Sequence, residues 1–138
     1  MKEFMVILAA ILLLMLFATQ YTLQQVNDYR IGQLQLYVNV AKEKAKISGR
    51  FTADIVTELK NNILSTFKDV EEDEIIIDVT MTPKYRTVDF DERELIHYKI
   101  GVPIKNVIAG ASFFGISDNE NKAYYILEGA TTSELIAP

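Results

Sequence analysis

The chain has no cysteine, no tryptophan and a single histidine, His97. Without cysteine there is neither a disulfide framework nor a thiolate metal site, and one histidine cannot build a multi-histidine centre. Proline is also scarce: the first of three is Pro83, so no proline interrupts a helix anywhere before it. Charge is nearly missing from the first twenty residues, which hold only Lys2 and Glu3 of 14 Lys+Arg and 19 Asp+Glu. The remaining 13 basic and 18 acidic residues therefore carry the whole net charge of −5. An acidic remainder offers no basic stripe to neutralise phosphates, so no nucleic-acid partner is expected. Motifs for catalysis are absent as well: there is no phosphate-cradling glycine pattern, and no marked nucleophile with its base. Neither an enzyme nor a bound cofactor is expected.

What is there begins at residues 4–18, fifteen apolar residues without interruption. At about 1.5 Å per residue this run covers ~23 Å, against a hydrocarbon core of ~30 Å. Thr19, Gln20, Tyr21 and Thr22 extend it, with Tyr21 placed for a membrane interface. A cleaved signal peptide is not expected, because Phe17-Ala18-Thr19-Gln20 makes a poor cleavage site. Lys2 and the terminal amine favour a cytoplasmic amino end with the rest exported. From residue 19 to 41 the only charges are Asp28 and Arg30, while Gln20, Gln24, Gln25, Asn27, Gln33 and Gln35 supply uncharged polarity. Leu34, Val38, Ala41 and Ala45 recur at helical spacing, with Tyr29, Leu36, Tyr37 and Val40 widening the stripe. The apolar run and this stretch read as one helix to about Ile47, bendable at Gly32. A helix of this kind suits surroundings made of other protein; the competing reading is an ordinary anchor leading into a stalk.

Ser48-Gly49-Arg50 ends that helix. Thr52 is the expected N-cap of a second helix, on which Phe51, Ile55, Leu59, Ile63 and Phe67 fall four apart. Residues 68–74 make an acidic, solvated turn. The period then changes to two: 75–82 reads as a strand with Ile75, Ile77, Val79 and Met81 inward. Residues 84–94 read as a hairpin connection or exposed excursion. A second strand spans 96–105, with Pro103 placing it at a sheet edge or ending it. Residues 106–116 form a short helix or a loop under the sheet, 118–121 a turn, and 123–130 a third strand before a short polar tail. The fold class is α+β: residues 1–48 a long helix, of which 1–22 form the hydrophobic segment, and 49–138 a head with a small antiparallel sheet.

Two further groups come into view as candidate sites. Asp89, Asp91, Glu92 and Glu94 could ligate a cation, yet a calcium-loop frame begun at Asp89 would put Arg93 and Ile100 at ligand positions. A solvated loop is the better reading, and His97 reads as a surface strand residue. No metal is expected. Glu3 asks for an explanation, since a carboxylate beside an apolar helix is costly to bury unless a cation meets it. Its partners would be Lys2 or an amino-terminal amine, from the same chain or a neighbour; otherwise it is an interfacial residue at the membrane edge.

The Glu3-Phe4 opening of an apolar helix, its amphipathic continuation with Ala41 and Ala45, Gly49, a second helix and a short sheet resemble the type IV pilin superfamily, most closely the small TadE-like pilins and pseudopilins. The resemblance covers nearly the whole chain. It implies a pilin-like structural subunit of a type IV or Tad-like extracellular filament, anchored in the inner membrane by a transmembrane helix before assembly. Fimbrial functions such as cell adhesion or protein secretion come with it. It also implies a helical homo-oligomer, with an assembly machinery and a prepilin peptidase as partners. Glu3 and Met1 would set the subunit register, while Phe4, Ile7, Leu8, Ile11, Leu12, Leu14, Phe17, Leu34 and Val38 would pack the filament core. The family's acidic residue usually stands fifth in the mature chain rather than third, and no glycine-ended basic leader precedes Met1. Either Met1 is the mature terminus, or processing differs. The alternative is a single-pass anchored extracytoplasmic binding or secretion-scaffold module. Charged substitutions at Leu34 or Val38 are expected to separate a packed bundle from a free stalk.

Overall fold

The computed structural model describes residues 1–87 and 94–138. Helix α1 runs without a break over Lys2–Ser48, α2 over Ala53–Thr66, and strands β1, β2 and β3 over Ile76–Val79, Leu95–Lys105 and Lys122–Thr132. The layout is the expected α+β one, with the strands in the order β1-β2-β3 as a small antiparallel sheet. Contacts divide the chain into two compact units: Met1–Tyr29 with Ile104–Ala123, and Arg30–Pro103 with Tyr124–Pro138.

The second unit holds the main core. Leu34, Val38, Ala41 and Ala45, spaced four, three and four apart, bring one stripe of α1 against α2, whose own buried residues are Ile55, Leu59 and Ile63. Phe51 and Phe67 are fully buried at either end of α2, and Ile96, Ile100 and Val102 of β2 complete the interior. Each such side chain contributes roughly 1.5–3 kcal/mol by leaving water. The rim is polar. The hydroxyls of Tyr37 and Thr66 lie 2.9 Å apart, and Lys44 meets Glu58 at 2.6 Å. Arg30 reaches Asp69 at 3.2 Å with its guanidinium 5.8 Å from the centre of the Phe67 ring, and Gln35 donates to the Tyr125 hydroxyl at 2.9 Å.

The start of α2 follows its sequence: the Thr52 side chain accepts from the Ile55 amide at 3.3 Å, satisfying one of the free donors of the first turn. The acidic 68–74 segment is more ordered than a plain solvated loop. Glu71 and Glu74 form a capping box around a short 3₁₀ turn, and Glu72 pairs with Lys60 at 2.9 Å.

In the sheet, Ile76 faces Gly101 and Val79 faces Tyr98. The inward residues are Ile75, Ile77 and Val79 as expected, but β1 is shorter than 75–82 and Met81 is exposed. Thr80 ends the ladder: its hydroxyl accepts the His97 amide at 3.0 Å, and its carbonyl is diverted to the Phe51 amide at 2.9 Å. Pro103 also departs from expectation, for β2 is the central strand and continues past it. The last β1 partner is Gly101, so the β1 flank of β2 is already open at Pro103 and the missing amide costs no ladder bond to β1.

The segment after β1 and the carboxyl-terminal tail are likewise not free excursions. Lys84 donates its amide to the Gly49 carbonyl at 2.8 Å, Arg86 donates to Leu135 at 2.7 Å, and the Ser133 hydroxyl donates to the Lys84 carbonyl at 2.7 Å. Glu134 closes on the end of α1, with its amide on the Lys46 carbonyl and its carboxylate 3.1 Å from the Lys46 ammonium.

The first unit is built around the amino-terminal part of α1. Residues 106–116, expected as a helix or a loop under the sheet, instead fasten to α1. The Gln20 amide donates to the Val107 carbonyl at 3.0 Å and accepts from the Ala109 amide at 2.7 Å. The buried Asn121 side chain repeats this two-bond clasp on Ile108, at 2.7 and 2.9 Å. A single 3₁₀ turn, Ala111–Phe114, sits between Gly110 and Gly115, both in the left-handed region that glycine adopts without strain.

Candidate functional site

The surface that calls for a function is α1 itself. Every residue from Met1 to Thr19 is exposed, although the best 18-residue window of the helix has a mean hydropathy of 2.3 and is long and apolar enough to cross a membrane. Phe4, Ile7, Leu8, Ile11, Leu12, Leu14 and Phe17 all lie on this bare segment, with Phe4 70% exposed. A contiguous apolar surface of this size is not left to water in an ordinary soluble chain.

Glu3 and Met1 occupy the first turn, where the Met5 amide closes on the Met1 carbonyl at 3.2 Å. A carboxylate at this position is favoured by the positive end of the helix dipole. Among the described residues no ion pair or side-chain hydrogen bond joins Glu3 to another part of the chain, which leaves its carboxylate open to a partner from outside.

Leu34 and Val38 need a correction. They are 0% and 3% exposed inside the chain's own core, so they are not available to pack a neighbouring subunit. The helix presents other residues instead. Leu36, Val40 and Ile47 are 53%, 43% and 67% exposed, and Tyr29 continues their line. At about 100° per residue, Leu36, Val40 and Ile47 each stand two positions, about 200°, around the helix from Leu34, Val38 and Ala45. The second half of α1 thus carries two apolar stripes: an inner one covered by the chain and an outer one left bare. Sequence reasoning merged them into one widened stripe; splitting the pattern by helical phase separates them. Phe113 and Phe114, also exposed, were missed because small residues and glycines around them give no periodic signal.

Glu94 is buried and accepts from the Thr87 amide at 2.8 Å and from the Thr87 hydroxyl, which makes it a structural acceptor. Asp89, Asp91 and Glu92 lie outside the described residues, and Ile100, required by the calcium-loop frame as an acidic ligand, is fully buried in β2. Among the described residues no group of three or more acidic, histidine or cysteine side chains is placed to hold a metal. His97 is exposed on β2. In comparisons with known proteins, no family model, curated protein or solved structure matches the chain.

Proposed function

We propose that this chain is a structural, non-enzymatic subunit of a type IV or Tad-like extracellular filament, held in the membrane by the first part of α1 before assembly. The observation that carries the reading is the exposed apolar surface of α1, present at every residue over 4–18 and continued on the outer stripe through Tyr29, Leu36, Val40 and Ile47. An anchor alone needs the first part only. The outer stripe beyond it asks for a second covering surface, and the same stripe on a neighbouring copy supplies one. Because lipid is as apolar as the helix, transfer from bilayer to bundle gains by close packing and by pairing polar groups rather than by escape from water. Glu3 supplies the polar term: its carboxylate against a neighbour's amino terminus is satisfied in one axial register and unpaired in the others.

The test is negative-stain electron microscopy of material sheared from expressing cells, with mass spectrometry of the amino terminus of the same chain. Thin filaments containing it, lost in Glu3→Ala while the membrane-bound pool remains, are the expected result. A chain found only in the membrane fraction, with no filaments, overturns the reading in favour of an anchored binding or scaffold module.

A further inference from the structure

We propose that the 106–121 loop is a second membrane-contacting element, which seats Phe113 and Phe114 in the lipid boundary on the side where α1 leaves the bilayer. The inference rests on the membrane-held state of the reading above, and three observations carry it.

The first is depth. The loop touches α1 at Leu16 and Gln20: the place a β-carbon would take on Gly110 lies 3.4 Å from Leu16 Cδ2 and 3.8 Å from the Phe113 ring, and Gln20 clasps Val107 and Ala109. Counting from Lys2 at ~1.5 Å per residue, Leu16 stands ~21 Å and Gln20 ~27 Å along the helix, inside a hydrocarbon layer of ~30 Å. The uninterrupted apolar run stops at Ala18, short of that thickness. The loop is attached where the span falls short.

The second is composition. No charged residue occurs between Lys105 and Asp118, and Val107, Ile108, Phe113 and Phe114 are all exposed, Phe113 at 90%. Two aromatic side chains held outward on a turn between two glycines are costly in water and favoured where acyl chains begin.

The third is the backbone. Irregular backbone tolerates a lipid boundary only if its polar groups find partners within the protein. Here they do. Gln20 serves Val107 and Ala109, Asn121 serves both polar groups of Ile108, the Asn106 amide donates to the Asn121 carbonyl at 2.9 Å, and the Phe113, Gly115 and Ile116 amides bond within the turn at 2.9–3.1 Å.

Because the chain has no tryptophan, a single introduced one reports alone. The full chain carrying Phe113→Trp, or separately Leu12→Trp at the centre of the span, is reconstituted in phosphatidylcholine vesicles. The lipids are brominated at shallow or deep acyl positions, and aqueous iodide is the second quencher. Phe113 is exposed, so its replacement leaves the fold intact. The expected result is that Phe113→Trp loses about half its emission to shallow bromine, less to deep bromine and little to iodide, as for a side chain ~5–10 Å below the surface. Leu12→Trp should be quenched most by deep bromine. If Leu12→Trp behaves so while Phe113→Trp ignores bromine and is open to iodide, the loop inference is overturned and the membrane-held helix stands. If Phe113→Trp ignores bromine yet is shielded from iodide in proportion to protein density, a second copy covers it and the inference is equally overturned. If neither probe meets bromine, the membrane-held state itself fails.

Discussion

Gly49 shows how one residue can fix the junction on which the head is built. Its φ of +72° ends α1, and a β-carbon there would stand 2.5 Å from the Lys84 carbonyl oxygen and 2.8 Å from Leu135 Cδ2. Left-handed backbone costs a non-glycine residue about 1–2 kcal/mol, and the two close approaches add strain that the backbone partner cannot relieve by rotating. Gly49→Ala should therefore lower unfolding stability by about 2–4 kcal/mol in a urea titration. A loss below about 1 kcal/mol would mean the junction can rearrange freely. That a glycine ends the helix was legible in the sequence from its neighbours. The reason it must be glycine was not, because Lys84 and Leu135 approach it from positions 35 and 86 residues away.

At the scale of elements, period alone located α1, α2 and the three strands to within a few residues, since each carries a face that only one backbone geometry can bury. What period could not do was assign each stripe of α1 to an occupant. Inner and outer stripes look alike in composition, and only the packing of α2 and β2 distinguishes them. Charge at Leu34 or Val38 therefore cannot separate bundle from stalk, as it would disrupt the head in either case. The informative pair is Val38→Asp and Leu36→Asp. The first buries an unpaired carboxylate and should cost at least about 3 kcal/mol by chemical denaturation. The second should stay within about 0.5 kcal/mol of the parent in the same assay yet abolish filaments. Filaments that survive Leu36→Asp would remove the outer stripe from the assembly surface. The 106–121 loop yields a separate prediction. The Ser117 amide and hydroxyl both donate to the Glu120 carboxylate, at 3.0 and 2.7 Å, and hold its pKa below the ordinary 4.5. A lowered folded value means that this turn's contribution is complete above the unfolded pKa and is lost as pH falls through the folded one. Carboxyl-carbon NMR should place the Glu120 midpoint below 4.5, and Ser117→Ala should return it towards that value. The carboxylate is fully exposed, so the effect should stay local to the turn.

For the molecule as a whole, the division of labour along α1 is the point on which function turns. Residues 1–19 are exposed, touched by the 106–121 loop at Leu16, whereas Leu34, Val38, Ala41 and Ala45 lie at the centre of the chain's core. A helix used only as a core element would be covered along its length, and one used only as an anchor would stop contributing to the head soon after leaving the membrane. Here a single helix, Lys2–Ser48, carries both kinds of surface. Deleting residues 2–18 should then remove membrane partitioning while leaving the thermal unfolding of the head nearly unchanged, within about 1 kcal/mol when both forms are measured in the same detergent. Gln20 and its clasp on the 106–121 loop are retained in that variant, so its far-ultraviolet circular dichroism should lose only the helical signal of the deleted turns. A deletion that instead unfolds the head would show that the bare segment is needed for the head's own stability. The two roles of α1 would then not be separable, and its exposed surface could not be held in reserve for lipid and neighbouring copies.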